Sequence, residues 1–185
     1  IEITKRFAAA GRQAGLSVPQ IAAFASAIAS AGVEPEAAGS SLSRLFGNLT
    51  TEIALASKKG KAFASVTGKS FKDFSKIVKD DTLGAMLLFL DSIKDLDKFE
   101  QQRALKAVGI TNVRDRNAIL LLAGSYEKNL IPALKNAENA EGALSAEAQK
   151  RFDTVKSQLL ILRNNFVEAG ISIGEGMLPA IKRSA

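Results

Sequence analysis

Apolar positions recur along this chain at intervals of three and four, and small groups of capping residues and glycines interrupt them. Ile3, Phe7 and Ala10 open the series at helical spacing, and Gly15 ends it. Ser17-Val18-Pro19-Gln20 reads as a capping box, with a proline in the first turn and a glutamine three residues after the serine. Ile21, Phe24, Ala25 and Ile28 follow at i, i+3, i+4, i+7, and Gly32 closes that helix. Glu34-Pro35-Glu36 opens a third, with acidic residues where the N-terminal dipole favours them. Its apolar positions are Leu42, Leu45, Phe46, Leu49 and Ile53.

Between Lys58 and Thr67 the pattern weakens to a loop or short helix. Ser70-Phe71-Lys72-Asp73 is a further capping signature and predicts a helix ending near Lys79. Asp80-Asp81-Thr82 breaks and restarts the chain. Leu83, Met86, Leu87, Leu90 and Ile93 then form the cleanest amphipathic stripe of the sequence. Asp97 to Glu100 caps the next helix, and Gly109 ends it. Thr111-Asn112 starts another, whose run Ile119 to Leu122 is so continuously apolar that it is expected at the centre of the core. Tyr126 to Ala140 forms the next, with Pro132 inside its first turns or kinking it. Gly142 separates this from a long helix capped by Ser145, running through Val155, Leu159, Leu162 and Phe166 towards Gly170. A short segment around Met177-Leu178-Pro179 follows. No period-two alternation competes as a strand, and no fixed-period repeat is present.

The pattern therefore predicts an all-α fold, a bundle of roughly eight to ten short-to-medium helices with no sheet. Residues 1–185 are expected to form a single all-helical region. Candidate sub-boundaries lie near 58–69, read as a lysine-rich loop, and near 140–145. The chain starts at Ile1 rather than Met, and reads as a piece excised from a longer polypeptide.

Composition removes most enzymology. The chain has no histidine and no cysteine, hence no imidazole for proton transfer near neutral pH, no thiolate nucleophile and no Cys/His metal site. No disulfide scaffold exists, which suits a reducing compartment. Apolar residues make up 46% of the chain, enough for a real core; with Trp absent and Tyr126 the single tyrosine, ten Phe carry the aromatic packing. No uncharged apolar run of about twenty residues is present. The nearest candidate, Leu159 to Ile181, is interrupted by Arg163, Glu168 and Glu175, so no membrane insertion by this segment is expected.

Charge is distributed unevenly. Seven lysines and one acid, Asp73, fall between Lys58 and Lys79, a local net of +6 that equals the charge of the whole chain. Lys69, Lys72, Lys76 and Lys79 recur at i, i+3, i+7, i+10 and are expected on one helical face. Such a face fits a polyanion or an acidic partner protein, or is simply solvated. It carries no base-reading arginine, so nucleic acid would be bound only without sequence preference.

Gly68-Lys69-Ser70 supplies the end of a phosphate loop, but position 63 is Phe where that loop requires glycine, and no strand precedes it. Asp80-Asp81, Asp95 and Asp97 sit at helix boundaries, where capping accounts for them. Arg114, Asp115 and Arg116 read as surface ions at a helix start, the other reading being that the arginines pair with Asp115 or with neighbouring helices. No catalytic residue, cofactor site or metal site is expected.

The succession of elements resembles a known family. Ala14-Gly15-Leu16-Ser17, the helix from Ile21 to Ala29, Gly32-Val33-Glu34-Pro35-Glu36-Ala37-Ala38-Gly39 and Leu42-Ser43-Arg44-Leu45 are similar to a region of phage tail tape measure proteins. Further on, the Leu87-Leu88-Phe89-Leu90 helix, the Ala107-Val108-Gly109-Ile110 turn and the helix from Arg116 to Ala123 continue the likeness. Leu159 to Phe166, leading to Gly176-Met177-Leu178-Pro179, closes it. The resemblance spans nearly the whole chain and rests on ordered helix-and-turn features. It does not extend to the lysines of 58–79.

The resemblance implies a structural protein of a phage or prophage: a long helical chain around which the tail tube polymerises and whose length sets tail length. It implies the tail tube protein and tail assembly chaperones as partners, self-association within the tail, and residence in the virion tail and, during assembly, in the bacterial host cytoplasm. The alternative reading is a non-catalytic helical module that binds nucleic acid or an acidic protein through Lys58 to Lys79.

Overall fold

A computed structural model describes residues 2–140, all of them within one compact unit, Ile1–Leu144. The expected helix from Ser145 towards Gly170 and the Met177-Leu178-Pro179 segment lie outside the described residues. Those described form nine α-helices and a π-helical turn, with no strand among them. The helices are α1 (Glu2–Gln13), α2 (Val18–Ser30), α3 (Pro35–Ala54), α4 (Lys58–Val66), α5 (Phe71–Asp80), α6 (Thr82–Lys94), α7 (Lys98–Ala107), α8 (Val113–Gly124) and α9 (Ile131–Ala140). The π turn, Tyr126–Leu130, stands between α8 and α9.

Local chemistry sets most of these boundaries. Ser17 and Gln20 close a reciprocal capping box at α2, and Asp97 and Glu100 do the same at α7. Ser70, Asp81 and Asn112 cap α5, α6 and α8 through their side chains. Gly15, Gly32, Gly68 and Gly109 take left-handed backbone at the turns that end α1, α2, α4 and α7.

The region from Lys58 to Val66, expected as a loop or short helix, is helical. Ser57 caps it by accepting from the Gly60 N–H at 3.1 Å, and its own hydroxyl donates to Glu52 Oε2 at 2.6 Å. Ser57 thus ties the end of α3 to the start of α4. That hydroxyl first, and then Lys59, hold the Glu52 carboxyl below its ordinary pKa.

Helix α1 packs on α3 and α2, and α9 packs on α2 and the π turn. Helices α4 and α5 pack on each other and on α3 and α6. Two aromatic clusters mark the core. Phe7, Phe24 and Phe46 meet with ring centroids 5.1 to 6.2 Å apart, joining α1, α2 and α3. Phe63 and Phe89 meet at 4.7 Å, joining α4 to α6.

The centre of the unit is α6 rather than α8. Every residue from Gly84 to Leu90 is buried, so the expected one-sided stripe is apolar on all sides. Its charged residues, Asp91 and Lys94, fall in the last turn, which leaves no earlier face that favours water. Helices α3, α4, α5, α7 and α8 surround it. In α8, Ile119 and Leu122 are fully buried, but Leu121 is 50% exposed.

The π turn accommodates Pro132. Without an N–H, Pro132 cannot serve the carbonyl four residues earlier, and its ring would crowd that group. The Ile131 N–H instead reaches back five residues to the Tyr126 carbonyl, widening the turn just before the proline.

Candidate interaction surface

Phe74 and Val78 anchor α5 in the core, which turns Lys72, Lys76 and Lys79 outward. At i, i+4 and i+7 the three form a line spanning roughly 10 Å of helix. Lys69 does not join them. It precedes the Ser70 cap in the turn after α4, its N–H donating to the Ala64 carbonyl at 3.1 Å, and it is half-buried. A helical period extended back through Ser70 misses this, because the capping residue and the turn before it are not helical.

Four other cations among the described residues are held in ion pairs. Arg6 meets Glu2 and Glu36, Arg44 meets Asp115, Lys59 meets Glu52, and Lys94 meets Asp91 and Glu127. Among the described residues Lys72, Lys76 and Lys79 form no ion pair. Two acids near them in sequence have other partners: Asp73 accepts from the Ser70 hydroxyl at 2.6 Å, and Asp81 accepts from the Gly84 N–H at 2.9 Å.

A second polar group was not expected. Asp115 and Arg116, read from the sequence as surface ions, are only 5% and 6% exposed. Asp115 Oδ1 accepts from Ser41 Oγ at 2.9 Å, and Arg44 Nη1 lies 3.1 Å from Oδ2 as an ion pair without hydrogen-bond alignment. Arg116 donates to Gln102 and to the carbonyls of Ile110 and Thr111. These contacts fasten α8 to α3 and α7. The sequence holds the signal: Ala118, Ile119 and Leu122 follow Asp115 at i+3, i+4 and i+7, placing it on the apolar face of α8. Both charges are consumed by structural partners, so the cluster presents no free acid or base.

The third group centres on Tyr126, 3% exposed, whose hydroxyl has no hydrogen-bond partner among the described residues. Lys94 Nζ sits 5.2 Å from its ring centroid. Burial works against the Lys94 charge, but hydrogen bonds to Asp91 and Glu127 outweigh it and hold its pKa above the ordinary lysine value. Burial, and then the Asp91 and Glu127 carboxylates, push the Tyr126 phenol well above its ordinary value.

A phenol whose folded pKa is raised contributes stability that is complete below the unfolded pKa, near pH 10, and is lost as pH rises through the folded value. Tyr126→Phe should therefore be neutral or stabilising by up to about 1 kcal/mol at neutral pH. The variant should also lose less stability than the parent above about pH 10. Lys94 titrates in both proteins, so urea denaturation of the pair across alkaline pH isolates the phenol. Destabilisation of the variant at neutral pH would show that the hydroxyl has a partner.

Among the described residues no cluster of three or more acids could hold a metal ion, and no helix is long and apolar enough to cross a membrane. Small residues of α2 and α9, with Lys128 and Asn129 of the π turn, line an open groove of about 560 Å³.

Neither the curated proteins nor the solved structures give a match to this chain. A family model does. The model of the phage-related minor tail proteins matches residues 1–109, from α1 to the turn that ends α7. That is more than half of the 185 residues, and the chain belongs to the phage-related minor tail protein family.

Proposed function

We propose that this chain is a segment of a tail tape measure protein, which helps to set tail length during assembly. The observation that carries the reading is the membership of a minor tail protein family by a chain that is helical throughout its described part. Helices joined by short capped turns suit a measuring chain, whose task is defined by length and by contact with other proteins. The tail tube protein and tail assembly chaperones are the partners, with self-association inside the tail. The virion tail is its destination, and the host cytoplasm its place of assembly.

The test is in-frame deletion of the 185 residues from the parent protein, with tail length measured by electron microscopy. A helix rises 1.5 Å per residue, so tails should shorten by roughly 280 Å. Intact tails of unchanged length would exclude a measuring role.

The second reading is a non-catalytic helical module binding nucleic acid or an acidic protein through Lys58 to Lys79. The concentration of the chain's entire net charge of +6 in that segment favours it.

A further inference from the structure

We propose that the Lys72-Lys76-Lys79 line of α5 is a docking strip for a carboxylate-bearing protein surface, rather than for nucleic acid. The inference rests on the structural tail reading for the setting in which that surface is met. Three lysines stand exposed along one side of a short helix whose other side is fixed in the core by Phe74 and Val78. Asp73 and Asp80 lie on the same helix as Lys76, at i−3 and i+4, close enough in sequence to pair with it. No such pair forms, and Asp73 is held by the Ser70 cap instead. The charges are therefore available to an outside partner without first breaking an internal bridge.

The acids beside the strip choose between partners. Asp73 and Asp80, both exposed, each follow a strip lysine by one position and stand seven residues apart, as Lys72 and Lys79 do. They form an acidic line of the same length, about 100° around the helix from the lysines. A DNA duplex carries one negative charge per about 1.7 Å of its axis, so phosphates would be pressed against both aspartates. A protein surface places its carboxylates singly and can meet the lysines while leaving the aspartates in water. All three cations of the strip are lysines, which lack the planar fork with which arginine grips a phosphate.

The experiment compares binding of the 185-residue chain to poly-L-glutamate and to a double-stranded DNA fragment at low and moderate salt. One variant is Lys72→Gln, Lys76→Gln and Lys79→Gln. A charge-matched control is Lys5→Gln, Lys98→Gln and Lys106→Gln, three lysines that are also exposed. The strip variant should lose about tenfold in affinity for poly-L-glutamate, and the control less than about twofold. Circular dichroism and melting should match the parent in both. Equal losses in strip variant and control would show general electrostatics and overturn the proposal. So would absence of poly-L-glutamate binding by the parent, or a larger loss of DNA than of poly-L-glutamate binding by the strip variant. Tail shortening on deletion is read separately, so either idea can fail alone.

Discussion

Phe46→Ala is expected to lower the unfolding free energy by about 4 kcal/mol, read from the urea denaturation midpoint. Phe46 is completely buried, and its ring lies 5.2 Å from that of Phe7 and 5.1 Å from that of Phe24. Truncation removes a large apolar side chain from water exclusion and leaves a cavity where three helices meet. The rings of Phe7 and Phe24 are themselves 6.2 Å apart and cannot both move into the space without leaving their own positions. Domains are stable by only about 5–15 kcal/mol, so the loss is a large share of the whole. Phe46→Leu keeps most of the volume and should cost less than about 1.5 kcal/mol. If alanine costs no more than leucine, the triad is not the keystone of this core.

The second large effect is a difference in sign between two identical substitutions. Gly60→Ala should destabilise by about 2 kcal/mol, whereas Gly47→Ala should stabilise by about 0.5–1 kcal/mol. Both glycines are inside helices, where alanine gains up to about 1 kcal/mol by propensity. At Gly47 a new methyl group would meet nothing within 4 Å, so only that gain remains. At Gly60 it would stand 2.3 Å from the Glu52 carbonyl oxygen and 2.8 Å from its carbon. These are backbone atoms near the end of α3 and cannot rotate aside. Overpacking of about 3 kcal/mol then outweighs the propensity gain. Thermal melts of the two variants beside the parent decide it. A stabilised Gly60→Ala would mean that α4 shifts away from α3 without penalty.

The contrast explains which features were legible in the chain. Caps are written in neighbouring residues, so Ser17 with Gln20, and Asp97 with Glu100, could be read directly and place α2 and α7 correctly. The same is true of the break at Asp81 and the glycine turns. Whether a helix is walled in on all sides depends on what packs against it, and no local pattern states that. Leu83, Met86, Leu87, Leu90 and Ile93 make a stripe, but Gly84, Ala85, Leu88 and Phe89 between them carry no polar side chain, and the surrounding helices bury every residue from Gly84 to Leu90. Conversely, the unbroken apolar run of α8 leaves Leu121 half in water.

At the candidate surface the sequence located the charge and misplaced one lysine. Lys72, Lys76 and Lys79 follow from the helical period because they lie after the cap, whereas Lys69 lies before it. Asp115 and Arg116 show the opposite error: residue type suggested a wet surface, while their register with Ile119 and Leu122 placed them inside. Their partners Ser41 and Arg44 are distant in the chain, so the pairing itself could not be read beforehand.

The placement of α2 has a mechanical consequence. The first helix of the unit, α1, and the last described one, α9, both lie against it. A pull applied between residues 2 and 140 is therefore borne first by the seams of α1 on α3 and α2 and of α9 on α2. The shielded α6 takes load only after its neighbours have let go. Extension of this unit would proceed from its ends inward, with the Phe63–Phe89 contact among the last to part.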